Sequence, residues 1–256
     1  MHEKSGSHRK IADLARRQHG VVSANQMTRL GLSKDQIFWE ASIGRLHRIH
    51  QGVYAVGHRA LSRHGKCLAA VLACNRGSLL SHRSAAWLWG LTTYWPPIVE
   101  VTAASPKETR LEIRVHSAQT LVDDDRDVFE DVPVTAIPRT LLDYAAISPA
   151  FLGSALERAQ RRDLLDLFAL DRLLARSRGF RGVARLRDAI EAYRVPAFTR
   201  SQLERRFLSL VRRADLPQPS MNFFVAGCEL DAYWAPERFA VELDTYDYHG
   251  DPRAFE

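Results

Sequence analysis

Between Val21 and Gly57 the chain reads "VVSANQMTRLGLSKDQIFWEASIGRLHRIHQGVYAVG", a run that few folds accommodate. Ser23 is placed to cap a short helix through Leu30, because its hydroxyl can accept a backbone N–H that the first helical turn leaves unpaired. Gly31 to Ser33 reads as a tight turn, and Ser33 caps a second helix running from Lys34 to near Ile43. In that second helix Ile37, Ala41 and Phe38 are expected to face inward, and Lys34, Gln36 and Glu40 outward. The period then changes to two. Leu46, Arg48 and His50 alternate with His47 and Ile49, the chain turns at Gln51 and Gly52, and it returns through Val53, Tyr54 and Ala55. That is a hairpin signal. Two short helices joined by a glycine-containing turn and followed by a hairpin make the pattern of a winged helix-turn-helix. Upstream, "HRKIADLARRQHG" predicts another helix, with Ile11, Leu14 and Ala15 at helical spacing and Gly20 as its stop.

Charge is distributed unevenly along the chain. Residues 1–60 hold 10 Lys and Arg against 4 Asp and Glu, which equals the net +6 of the whole protein. A basic head suits a polyanion, and nucleic acid is the expected one. Lys34 and Gln36 on the second helix are candidates for DNA contact, with Arg45 and Arg48 on the wing reaching phosphates. Residues 201–256 carry 6 Lys and Arg against 10 Asp and Glu, so this tail tolerates or uses clustered carboxylates.

A chain of 256 residues suggests two or three domains, and a hydrophobic content of 46% is ordinary for a globular protein. No apolar run reaches the ~18 residues that a membrane span needs. The N-terminal "MHEKSGSHRK" lacks the apolar segment of a secretory signal, and a cytoplasmic location is expected. Cys67 and Cys74 would lie about two helical turns apart, too far for a disulfide. Cys228 stands alone, and no CxxC spacing points to a thiolate metal site. His47 and His50 have no acidic or thiolate partner at ligand spacing.

The middle of the chain reads as helices, then strands, then helices. "GKCLAAVLACNRG" and "SHRSAAWLWGL" are helical, "IVEVTAA" and "LEIRVHSA" alternate as strands, and "VPVTAI" is a third strand candidate. Pro138 starts a further helix, in which Arg139 and Asp143 form an i, i+4 ion pair. His82, Arg83 and Ser84 read as a cap and a surface.

The C-terminal stretch predicts a helix, a hairpin and a third strand. The helix begins near Thr199 or Ser201 and carries Leu203, Phe207, Leu210, Val211 and Ala214 as an apolar stripe. Asn222 to Val225 and Cys228 to Trp234 form the hairpin, and "FAVELDTYDYHG" forms the last strand. Its alternation sends Phe239, Val241 and Leu243 to one face and Ala240, Glu242 and Asp244 to the other. Three acids fall on this scaffold: Glu204, Asp231 and Glu242. Neighbouring strands lie about 4.8 Å apart, so Asp231 and Glu242 can converge. Converging carboxylates repel unless a cation compensates, and Mg²⁺ is the expected cation. Two plainer readings stay open: Ser201 and Glu204 have capping-box spacing, and Asp244 can be a solvent-facing strand-end acid.

Two resemblances follow from these motifs. "GVVSANQMTRLGLS", "GRLHRIHQGVYAVG", "SHRSAAWLWGL" and "VTAIPRTLLDYA", in that order over residues 8–150, resemble the AbiEi-type antitoxins of bacterial toxin–antitoxin systems. This resemblance implies a winged helix that binds its own promoter, and a second domain that helps neutralise a nucleotidyltransferase-type toxin. Residues 199–256 resemble the restriction-endonuclease-like fold of the PD-(D/E)xK superfamily. The closer likeness is to domains related to very-short-patch-repair endonucleases, through Glu204, Asp231, Glu242, Asp244 and His249. It implies phosphodiester hydrolysis with Mg²⁺ held by Asp231, Glu242 and Glu204, with His249 as general base or holder of a water. The superfamily's lysine is absent, since Asp244 occupies its place and no lysine follows Lys107. The module ends early at "DPRAFE" against these relatives and is expected to be truncated.

The expectation is therefore an α+β protein with a winged helix-turn-helix over 1–60, an α+β antitoxin-like domain over 61–195 and an endonuclease-like module over 196–256. Its expected partners are double-stranded DNA and a cognate toxin. The two functional expectations are a Mg²⁺-dependent DNA endonuclease and a non-enzymatic antitoxin that represses its own promoter.

Overall fold

The computed structural model describes residues 2–74, 77–103, 112–117, 121–191, 193, 200–225 and 228–243. The chain is mixed α and β and divides into two units, Met1–Glu191 and Ala192–Glu256. Among the described residues, no helix is long and apolar enough to cross a membrane.

The first unit opens with helix α1 (His2–Arg17), strand β1 (Val21–Ser23), helices α2 (Ala24–Arg29) and α3 (Lys34–Ser42), and strands β2 (Leu46–His50) and β3 (Val53–Val56). Ser23 and Ser33 cap α2 and α3. Each hydroxyl accepts the N–H of the residue three positions on, and Gln26 and Gln36 return the bond to the cap backbone. Gly31, with φ +98°, makes the turn between the two helices in a conformation that side chains resist. Strand β1 pairs antiparallel with β3, which pairs with β2, so the hairpin is stitched to the start of α2. Ile11, Ala15, Val22, Met27, Leu32, Ile37 and Leu46 form one buried cluster beneath the three helices.

The same unit continues through α4 (Arg63–Ala73), β4 (Leu79–Leu80), α5 (His82–Leu88), β5 (Val99–Ala103), β6 (Ile113–Ser117), β7 (Arg126–Phe129), β8 (Val132–Thr135), and α6 (Ile137–Ile147) to α9 (Val183–Glu191) by way of α7 (Leu152–Arg161) and α8 (Leu167–Arg176). The strands form a five-stranded sheet in the order β6-β5-β4-β8-β7. One face of it is apolar, with Leu80, Val101, Ile113, Val132 and Val134 buried, while Glu100, Thr102 and Thr135 are buried on the other. Helix α4 approaches the α1–β1 turn at Gly65, where a Cβ would stand 2.8 Å from the His19 carbonyl oxygen. Any side chain at this position would force α4 away from the α1–β1 turn.

The second unit is helix α10 (Arg200–Arg213) followed by β9 (Ser220–Val225), β10 (Cys228–Trp234) and β11 (Phe239–Val241), in the sheet order β11-β10-β9. Phe207 of α10 meets Trp234 edge to face at 6.1 Å, and Val211 and Ala232 are buried. The apolar stripe is narrower than its spacing suggests, because Leu210 is exposed.

Candidate functional site

Helix α3 and the β2–β3 hairpin present the basic residues of the head. Lys34, Arg45 and Arg48 are exposed, and Arg48 lies opposite Tyr54 in the hairpin register. Gln36 is partly committed, since its Oε1 accepts the Ser33 N–H at 2.7 Å. Two side chains of α3 contradict the sequence reading. Glu40 is buried at 4% exposure, and Phe38 is 76% exposed. The reason is helical geometry: Ile37 and Glu40 are three residues apart and share a face, while Phe38 is turned about 100° away. Glu40 is tolerated inside because His8 Nε2 donates to its Oε1 at 2.7 Å and the Arg45 guanidinium stands 3.6 Å from Oε2. The acid thereby ties α1, α3 and the start of the hairpin together.

The outward face of α3 is aromatic and flanked by cations. Trp39, 54% exposed, lies next to Phe38, and the Arg45 guanidinium sits 6.0 Å from the Trp39 ring centroid. Ile43 extends the apolar strip.

In the second unit Ala232 pairs with Val241, the last pair of the β10–β11 ladder, and Asp231 and Glu242 are the next residue of each chain beyond it. Asp231 Oδ2 accepts the Leu243 N–H at 2.8 Å, which fixes the carboxylate at the end of β11. Ala232 and Trp234 point to the face opposite Asp231, and Phe207 packs against Trp234. Glu204 lies on α10 one turn before Phe207. Among the described residues, no three His, Cys, Asp or Glu side chains are grouped to hold a metal ion, so Glu204 does not complete a three-ligand set with Asp231 and Glu242. Asp244 and His249 lie outside the described residues.

A third polar arrangement lies in the first unit, where the sequence suggested only a cap and a surface. The Glu100 carboxylate on β5 is 2% exposed. It accepts the Arg83 backbone N–H at 2.9 Å, and its other oxygen faces the Arg83 guanidinium at 3.3 Å, Arg114 at 3.5 Å and His116 at 3.5 Å. Burial pushes the Glu100 carboxyl up, but His116, the Arg83 N–H and the surrounding positive charge outweigh it and hold the group below its usual range. His82 stacks on His116 with ring centroids 3.5 Å apart, and His82 has φ +54°. Burial first, and then His116, push the His82 imidazole down to about 3, so it is neutral. Asp125 is fully buried and chelated by Arg176 at 2.8 and 3.1 Å, with Arg139 at 3.5 Å. The sequence signal for this network was weak: Glu100, Arg114 and His116 fall at the polar positions of the alternating "IVEVTAA" and "LEIRVHSA", where a solvent-facing side chain is the ordinary expectation.

Comparison of the chain with protein-family models and with curated proteins gave no match.

Proposed function

We propose that this chain binds double-stranded DNA through its N-terminal head, acting as a winged helix-turn-helix regulator of the antitoxin type. The observation that carries the reading is the exposure of Lys34, Arg45 and Arg48 on the second helix and the following hairpin, in the segment that holds the entire net positive charge. Helix α3 is the element offered to the major groove. Arg45 and Arg48 neutralise phosphates beside it. Phe38 supplies an apolar contact of the kind a thymine methyl accepts. The resemblance to AbiEi-type antitoxins supports its own promoter as the target and a nucleotidyltransferase-type toxin as the protein partner. The test is fluorescence anisotropy with labelled promoter duplex across a salt series. Binding that weakens steeply with salt is expected, with the log–log slope falling by about one for each of Arg45→Ala and Arg48→Ala. A duplex that fails to bind at low salt refutes the reading.

A second reading, Mg²⁺-dependent DNA cleavage, rests on Asp231 and Glu242 at the end of the β10–β11 ladder. Two such carboxylates fit an ion that takes one or two carboxylates and fills its other positions with waters and phosphate oxygens. Asp231 and Glu242 would hold it, with Asp244 as a further acid and His249 as a proton acceptor. Bound there, Mg²⁺ would activate water and offset charge on a phosphodiester. Nicking of a supercoiled plasmid that needs Mg²⁺ and disappears in Glu242→Ala is the expected result, and an inert wild-type protein excludes it.

A further inference from the structure

The Arg83–Glu100 cluster forms the floor of a cavity of about 790 Å³ in the first unit, bounded by α5, β5, β6, α6 and α7. That volume is in the range of small-molecule sites, about 300–1,000 Å³. Three guanidinium groups line it, from Arg83, Arg114 and Arg158. The lining carboxylate is Glu100, so two positive charges are left without compensation inside the cavity.

These cations are not equivalent. Arg83 is held from three sides: Nε donates to Ser148 Oγ at 3.1 Å, Nη2 donates to the Ile147 carbonyl at 3.1 Å, and Nη1 faces Glu100. It is positioned before any ligand arrives, which lowers the ordering cost of binding. Arg114 shares Glu100 but remains half exposed. Arg158 makes no ion pair among the described residues although it lines the same cavity. A guanidinium fork favours oxyanions, phosphate above all, because it can donate two parallel hydrogen bonds.

The rest of the wall is not suited to a simple ion. Tyr94 and Phe151 are 58% and 64% exposed. Both line the cavity, together with Pro96, Pro97 and Ile98. Flat apolar surfaces next to fixed cations suit a molecule with a planar ring at one end and a doubly negative group at the other.

We propose that this cavity is a binding site for a nucleoside 5′-phosphate, with the phosphate on Arg83, Arg114 and Arg158 and the base against Tyr94 or Phe151. The shared chemistry comes from two sources, a free mononucleotide or the 5′-phosphorylated end of a single strand. The site stands apart from the DNA-binding head and does not depend on that reading.

The test is calorimetric titration of the full chain with AMP, GMP and UMP, with the corresponding nucleosides, with inorganic phosphate, and with a 5′-phosphorylated single-stranded octanucleotide. Expected is saturable binding of at least one monophosphate, with its nucleoside and phosphate alone each weaker by about tenfold or more, since each lacks half of the contacts. Arg158→Ala removes a cation with no ion-pair partner to orphan, so the fold is retained, and it should weaken binding by about tenfold. Phe151→Ala should weaken the monophosphates and leave the weak phosphate binding unchanged. Saturable binding of the octanucleotide alone, lost in Arg158→Ala, supports the site with a strand end as its source. Binding indifferent to Arg158→Ala, equal binding of phosphate and monophosphates, or no binding of either source overturns the proposal. Duplex binding by the head, measured in the same Arg158→Ala variant, should be unchanged.

Discussion

His82 must stay neutral to remain where it is. It faces His116 from β6, Glu100 from β5, Arg139 and Asp143 from α6, and Arg83 from its own helix, and burial is the largest effect on it. Its imidazole is pushed down from 6.5 to about 3 in the folded chain, so between those values the unfolded chain binds the extra proton. The stability that His82 contributes is therefore complete above pH 6.5 and is lost as pH falls toward 3. Asp143 works the other way. Burial pushes its carboxyl from 3.8 up to about 6, so protonation favours the folded state across that window and offsets part of the loss. Urea midpoints measured between pH 7 and pH 4.5 should fall in the wild type, and fall less in His82→Gln. Arg176→Ala leaves the fully buried Asp125 with the Val122 N–H at 3.2 Å and a single, more distant cation, Arg139 at 3.5 Å. Removing one partner of a buried pair is expensive, and a loss on the order of 3 kcal/mol is expected by urea denaturation at neutral pH.

At the level of elements, local signals decide most of what forms. Ser33→Ala removes the cap of α3 and should cost about 1 kcal/mol, seen as a lower melting temperature and weaker duplex binding together. The three helices and the hairpin of the head were readable because caps, a glycine turn and a change of period all agreed, whereas the three-residue β1 carried no such signal. The outline of α10, β9, β10 and β11 was readable for the same reason. Strands β4 and β7 were not. Leu79 and Leu80 are too short a run to show a period, and "RDVF" is polar because β7 is an edge strand with little to bury. Glu40 and Glu100 were missed as buried groups for a different reason. Each is offset by partners distant in sequence, His8 for one and Arg114 for the other, and such partners become visible only in three dimensions.

The whole molecule combines units of unequal depth. The first buries apolar side chains in both of its sheets, while Val211 and Ala232 are the buried aliphatic side chains among the described residues of the second. Hydrogen exchange should therefore protect the amides of β5 and β8 longer than those of β9 to β11, by a factor of about ten or more. The second unit also carries Phe223, Phe224 and Val225 at its margin, exposed and consecutive on β9. Such a margin would ordinarily invite other copies of the chain to add on. Asn222, however, adopts φ +51° in the middle of that strand, a left-handed conformation that breaks the extended run of β9. A template interrupted after two residues cannot propagate a stack. Asn222→Val would straighten it, and turbidity or thioflavin fluorescence should then rise on incubation where the natural protein stays clear.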